Sequence, residues 1–151
     1  MKPIHTQYSQ VETLIFPDAI TLKVLLSGHQ TNGDLAIFED IVEAGVGPPR
    51  HIHHHQDETF MFLEGEFIAE VDGKMYEFEP GDLAFIPKGT VHAFKNVGST
   101  KGRLRYVFSP AASIEAMFRE FYQLLENDNF SEQTMAAIST NHGQEIVGPP
   151  L

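Results

Sequence analysis

Cysteine is absent from the 151-residue chain, and so is tryptophan. Without thiols there is no disulfide, no iron–sulfur cluster and no thiolate-ligated zinc, so any metal bound by side chains must be held through nitrogen and oxygen. Cationic side chains are scarce: 10 Lys and Arg stand against 21 Asp and Glu, a formal charge of −11 with histidines neutral. That balance argues against nucleic acid and anionic membranes as partners and reads as a solvated acidic surface. No apolar run approaches the length of a membrane span, and the opening Met1-Lys-Pro-Ile-His-Thr-Gln-Tyr8 lacks the charged-then-apolar order of a secretory leader. A cytoplasmic protein is therefore expected. The length suits one domain able to bury a core without covalent staples.

Short runs rich in β-branched and aromatic residues fill the first two thirds of the chain. Val11 to Phe16, Thr21 to Ser27 and Leu35 to Glu43 are separated by Pro17-Asp18 and by Gly28 to Asp34. Further runs are Glu58 to Glu64, Glu66 to Val71, Lys74 to Phe78, Asp82 to Pro87, Val91 to Asn96 and Arg103 to Phe108. Many short strands with turn residues between them predict an all-β sandwich or barrel. After Ser109-Pro110 the period changes: Ile114, Met117, Phe118, Phe121, Leu124 and Leu125 recur at helical spacing, and Ser109-Pro110 suits a helix start. A second helix is predicted from about Ser131 to Ser139, with Gly148 to Leu151 as an extended tail. The division expected is a β-barrel domain over 1–110 and a helical extension over 111–151 packed upon it.

Histidine supplies the chemistry. Of eight histidines, four fall within His51-Ile-His-His-His55, just before Glu58, and another, His92, lies in a second Gly/Pro-punctuated segment. On a strand, alternate side chains share a face, so His51 and His53 point together. Glu58 and His92, arriving from other strands, are the natural partners to complete a site of three nitrogens and one oxygen. His55 shares the parity of His51 and His53, and Asp57 adjoins Glu58, so a bend at Gln56 would let either replace a nominated ligand. Glu58 is preferred because alternation then sets Phe60 and Phe62 on its inward side, with Phe94 beside His92, as an apolar pocket wall. His54 should face away, and His5, His29 and His142 belong to no motif. The glycines and prolines of both segments, among them Gly45, Pro48, Pro49, Gly65, Gly81, Pro87 and Gly89, position the ligands, and Asn96 suits a scaffold role in a turn.

Gly45 to Gly65 spells G-x5-H-x-H-x4-E-x6-G, and Gly81 to Asn96 spells G-x5-P-x-G-x2-H-x3-N. These match the two signature motifs of the cupin superfamily, and the short gap between them resembles that of small microbial cupins. Within the superfamily the chain is similar to the quercetin-dioxygenase-like, cupin type-2 group. The resemblance implies an antiparallel jelly-roll barrel, carries His92 over as the fourth ligand beside His51, His53 and Glu58, and implies a homodimer. It also implies one divalent transition-metal ion, whether iron, manganese, nickel, cobalt, copper or zinc. The expected activity is a dioxygenase-like oxidoreductase on a small enolic, phenolic or flavonol-type substrate, with Glu58 taking the substrate's proton. Isomerase, lyase or decarboxylase chemistry, or noncatalytic binding of a small molecule, is the alternative.

Overall fold

Period-two alternation of buried and exposed residues dictates the architecture, because each such strand must lay its apolar face against another sheet. The computed structural model describes residues 1–151. Its strands are β1 (Glu12–Phe16), β2 (Ile20–Leu26), β3 (Ala36–Val42), β4 (Arg50–His53), β5 (Asp57–Glu64), β6 (Phe67–Val71), β7 (Lys74–Phe78), β8 (Leu83–Ile86), β9 (His92–Asn96) and β10 (Gly102–Ser109). Helices α1 (Ile114–Glu126) and α2 (Glu132–Asn141) and a last strand, β11 (Gln144–Gly148), complete the chain. Two antiparallel sheets face each other, a six-stranded one in the order β1-β2-β3-β10-β5-β8 and a five-stranded one in the order β11-β4-β9-β6-β7. This is the jelly-roll barrel with a C-terminal helical extension.

Inward residues of both sheets form one core. Phe38, Phe60, Phe62, Phe67 and Phe108 are each at most 2% exposed, and Leu104, Ile86 and Tyr106 pack with them. Fully burying a phenylalanine contributes roughly 1.5–3 kcal/mol, so these rings hold the sheets together without any disulfide. Helix α1 buries Ile114, Met117 and Phe121, and Phe118 meets Phe38 edge to face at 5.2 Å between ring centroids. The helical stripe thus closes one side of the barrel.

One expectation needs correction. The first helix does not begin at Ser109-Pro110: Ser109 is still paired with Asp57 as the last residue of β10, and α1 starts at Ile114 after Ser113. Sheet pairing and the anchoring of Ala111 N–H to the Gly33 carbonyl at 2.9 Å use those residues before a helix can start. Ahead of the expected tail lies a strand that the sequence reading did not include, for Gln144–Gly148 pairs antiparallel with β4. β4 has little other support, since its registered pairing with β9 is His51 opposite His92 alone. A strand with so few partners recruits a distant one to satisfy its backbone groups.

Candidate metal centre

Three strands deliver the site. β4 carries His51 and His53 on its inward face, β9 brings His92 opposite His51, and β5, in the other sheet, brings Glu58. One ligand atom from each of the four lies within 4.8 Å of the others, and all four residues are buried. The imidazole rings crowd one another, with centroids 4.3 Å apart for His51 and His92, 4.9 Å for His51 and His53, and 5.4 Å for His53 and His92. Glu58 Oε2 sits 2.9 Å from His92 Nε2 and 3.3 Å from His53 Nε2.

Backbone carbonyls set the tautomers. His51 Nδ1 lies 2.8 Å from the Pro49 carbonyl oxygen and His92 Nδ1 lies 3.0 Å from that of Thr90. A carbonyl only accepts, so both Nδ1 atoms carry a proton and Nε2 is the atom each ring turns toward the centre: a lone pair when the ring is neutral, and on His92 a second proton shared with Glu58 when no metal ion is bound. A lone pair against a carboxylate oxygen at hydrogen-bonding distance repels unless positive charge lies between them. Burial pushes the Glu58 carboxyl up, but hydrogen bonds from His53 and His92 outweigh it and hold the group at about 2. For His92, burial favours the neutral ring, yet the hydrogen bond and charge of Glu58 prevail and raise its affinity for a proton. His51 goes the other way: burial first, and its two imidazole neighbours second, keep it neutral. The cluster therefore attracts a cation, and three imidazoles with one carboxylate are a donor set that fits a divalent transition metal.

A cavity of about 400 Å³ opens from this cluster. His51, His53 and Glu58 form its polar end; Phe60, Phe94, Phe108 and Phe118 wall it, and Leu125 and Met135 bring α1 and α2 to its rim. Glu58 Oε1 makes no hydrogen bond within the protein and opens on this space. Of the pocket residues expected from alternation, Phe60 and Phe94 line the cavity but Phe62 does not. Phe62 lies further along β5, stacked on Phe78 at 4.3 Å between centroids and packed on Phe67, where it fills core.

The alternative ligands fall outside the cluster. His55 is exposed and lies against Gly143, while Asp57 caps the Lys88 backbone N–H at 2.9 Å. His54 is exposed and pairs with Glu145, His5 and His29 are exposed, and His142 meets Ser113 and Glu120. Asn96 donates to the carbonyls of Val42 and Thr100 and accepts from Gly98 N–H, a structural role. Three polar residues of the cavity were not anticipated: Asp40, Tyr106 and Gln144. For Asp40 the signal was present, since alternation along β3 places it with Ala36, Phe38 and Val42 on the inward face.

Residues 38–108 match the family described as Cupin domain. The uncharacterized protein MJ1618 of Methanocaldococcus jannaschii is 30% identical over 100 residues, covering 66% of this chain and 80% of that protein. Quercetin 2,3-dioxygenase of Bacillus subtilis is 27% identical over 73 residues, 48% of this chain but only 22% of the enzyme. Among solved structures, a predicted oxalate decarboxylase from Thermotoga maritima superposes with a TM-score of 0.66 at 19% identity, over 71% of this chain and 99% of that one. With the two-sheet barrel and the convergence of three imidazoles and a carboxylate inside it, these similarities establish that the chain belongs to the cupin superfamily.

Proposed function

We propose that this cupin is a metal-dependent oxidoreductase that adds dioxygen to a small, flat enolic, phenolic or flavonol-type substrate. The observation that carries this reading is the meeting of a nitrogen- and oxygen-donor cluster with an aromatic-walled cavity of about 400 Å³. Similarity to quercetin 2,3-dioxygenase over 73 residues supports it. A divalent transition-metal ion held by His51, His53, Glu58 and His92 would supply Lewis acidity toward a substrate oxygen and electron transfer to dioxygen.

The chain's own groups prepare the reaction. Pro49 and Thr90 carbonyls lock the orientation of the His51 and His92 rings. Glu58 Oε1, facing the cavity, accepts the proton of the substrate hydroxyl. Phe60, Phe94 and Phe108 pack on the flat ring and exclude water from the reacting end. The test is oxygen uptake by protein loaded in turn with iron, manganese, nickel, cobalt, copper and zinc, against a panel of enolic, phenolic and flavonol compounds. No uptake with any pairing would sink the proposal. Turnover that persists without oxygen would point instead to an isomerase, lyase or decarboxylase.

The protein is further proposed to act as a cytoplasmic homodimer, each copy a barrel over 1–110 with an extension over 111–151 that packs on it and adds β11 to its five-stranded sheet. Light scattering should give twice the mass of the chain.

A further inference from the structure

The cavity has a second polar feature, which the ligand cluster does not use. Asp40 projects inward from β3 and is only 5% exposed. Its Oδ1 accepts the Tyr106 hydroxyl at 2.9 Å, whereas Oδ2 has no partner in the protein and opens on the cavity. Apart from the metal ligands, Asp40, Tyr106 and Gln144 are the polar side chains of the lining, and the Gln144 amide is already bonded to Ser139 Oγ at 3.1 Å. An acid oxygen without a protein partner in a largely apolar cavity is a ready site for a polar group of a bound molecule.

Burial pushes the Asp40 carboxyl up to about 8; the Tyr106 hydrogen bond opposes this, and the charges of Glu58 and Glu39 add to it. Tyr106 faces Asp40 from β10 and Glu58 acts on it from β5, while His51 and His53 of β4 line the same cavity. Glu39 lies on the other face of its own strand, while β2 offers Leu22 and α1 offers Phe118 and Phe121. Burial thus favours the protonated carboxyl. Because Oδ1 is the acceptor for Tyr106, that proton sits on Oδ2 and points into the cavity.

We propose that Asp40, positioned by Tyr106, is a second substrate anchor, donating a hydrogen bond from Oδ2 to a hydroxyl or carbonyl oxygen remote from the one held at the His51, His53, Glu58 and His92 centre. Strand register bears on the shape of such a substrate. Glu58 is opposite Phe108 and Asp40 is opposite Leu104 on the same strand β10, so the two carboxyls project into the cavity from positions four residues apart along it. The two anchors therefore sit at different places along the cavity, an arrangement suited to a two- or three-ring compound with oxygens at both ends. The inference rests on the proposed use of the cavity for oxygenated aromatic compounds and specifies which of them bind.

The experiment uses zinc-loaded protein and three fluorescent probes: 3-hydroxyflavone, 3,7-dihydroxyflavone and 3,4′-dihydroxyflavone. The unmodified protein should bind at least one dihydroxy probe about ten-fold more tightly than 3-hydroxyflavone, the scale of one hydrogen bond to a buried group. Asp40→Leu should abolish that preference while zinc content and 3-hydroxyflavone affinity hold within about three-fold. Asp40→Asn fills the same volume and still donates, so it should keep the preference but lose its pH dependence. In the unmodified protein the preference should fall as rising pH ionises the Asp40 carboxyl. No binding by any probe, no preference, a preference that Asp40→Leu leaves intact, or a pH profile identical in Asp40→Asn overturns the proposal. An Asp40-dependent preference in a protein that consumes no oxygen keeps the anchor and removes the oxidative reaction; oxygen uptake without that preference does the reverse.

Discussion

At the scale of single residues, the site is a balance between burial and charge. His92 is 1% exposed and shares Glu58 Oε2 with His53, so removing its ring leaves a buried carboxylate with fewer partners and an ion with one ligand fewer. His92→Ala should lower metal affinity by about ten-fold or more, judged from what even indirect ligand contacts contribute. Elemental analysis of protein purified without chelators checks this, and full metal content in the variant would contradict it. Asp40 gives a pH signature of opposite sign to that of an ordinary paired carboxylate. Its affinity for a proton rises from the usual 3.8 to about 8 in the folded chain, so between those values the folded state binds more protons than the unfolded one. Stability should therefore fall across that window as the pH rises. Denaturant titrations should show Asp40→Asn gaining on the unmodified protein from about pH 4 to pH 8, with no change in the difference outside it.

Among the elements, β4 is the one on which the centre depends. It is four residues long, holds two ligands, and is entered through Gly47-Pro-Pro-Arg50. A Cβ on Gly47 would overlap the carbonyl oxygen of Phe94 in the neighbouring segment, so the entry loop approaches β9 more closely than any other residue permits. Gly47→Ala should displace β4, with a loss of about 1–3 kcal/mol typical of overpacking and a drop in bound metal that parallels it. Thermal unfolding together with metal analysis reads both. The ladder between β4 and β11 explains how the C-terminal segment serves the centre, for Gln144 is in register with His53 and Ile146 with His51. That pairing was not legible in the sequence. Gln-Glu-Ile-Val is a short run followed by Gly-Pro-Pro, and nothing local in it names a partner ninety residues away. The helical stripe of α1 was legible because Ile114, Met117 and Phe121 repeat at the spacing one buried face requires.

For the molecule as a whole, an ion at this centre would tie the two sheets together, because β4 and β9 belong to one and β5 to the other. Removing metal should therefore lower the midpoint of thermal unfolding, and adding it back at a hundred times its dissociation constant should restore about 2.7 kcal/mol. Calorimetry before and after dialysis against a chelator measures this, and equal midpoints would show that the sheets need no such tie. Much of this molecule was written in the chain itself. Alternation assigned the strands, and the fixed spacings of His51, His53, Glu58 and His92 between turn-forming glycines and prolines marked the ligands, since both depend on local backbone geometry. Tertiary structure alone decided which inward residues face open space and which face other rings, so Phe60 lines the cavity while Phe62, two positions on, is core. It also decided that Asp40 would meet Tyr106 and that β11 would pair with β4. Those outcomes follow from register and sheet closure, which arise from contacts between segments far apart in the chain and leave no imprint on any one of them.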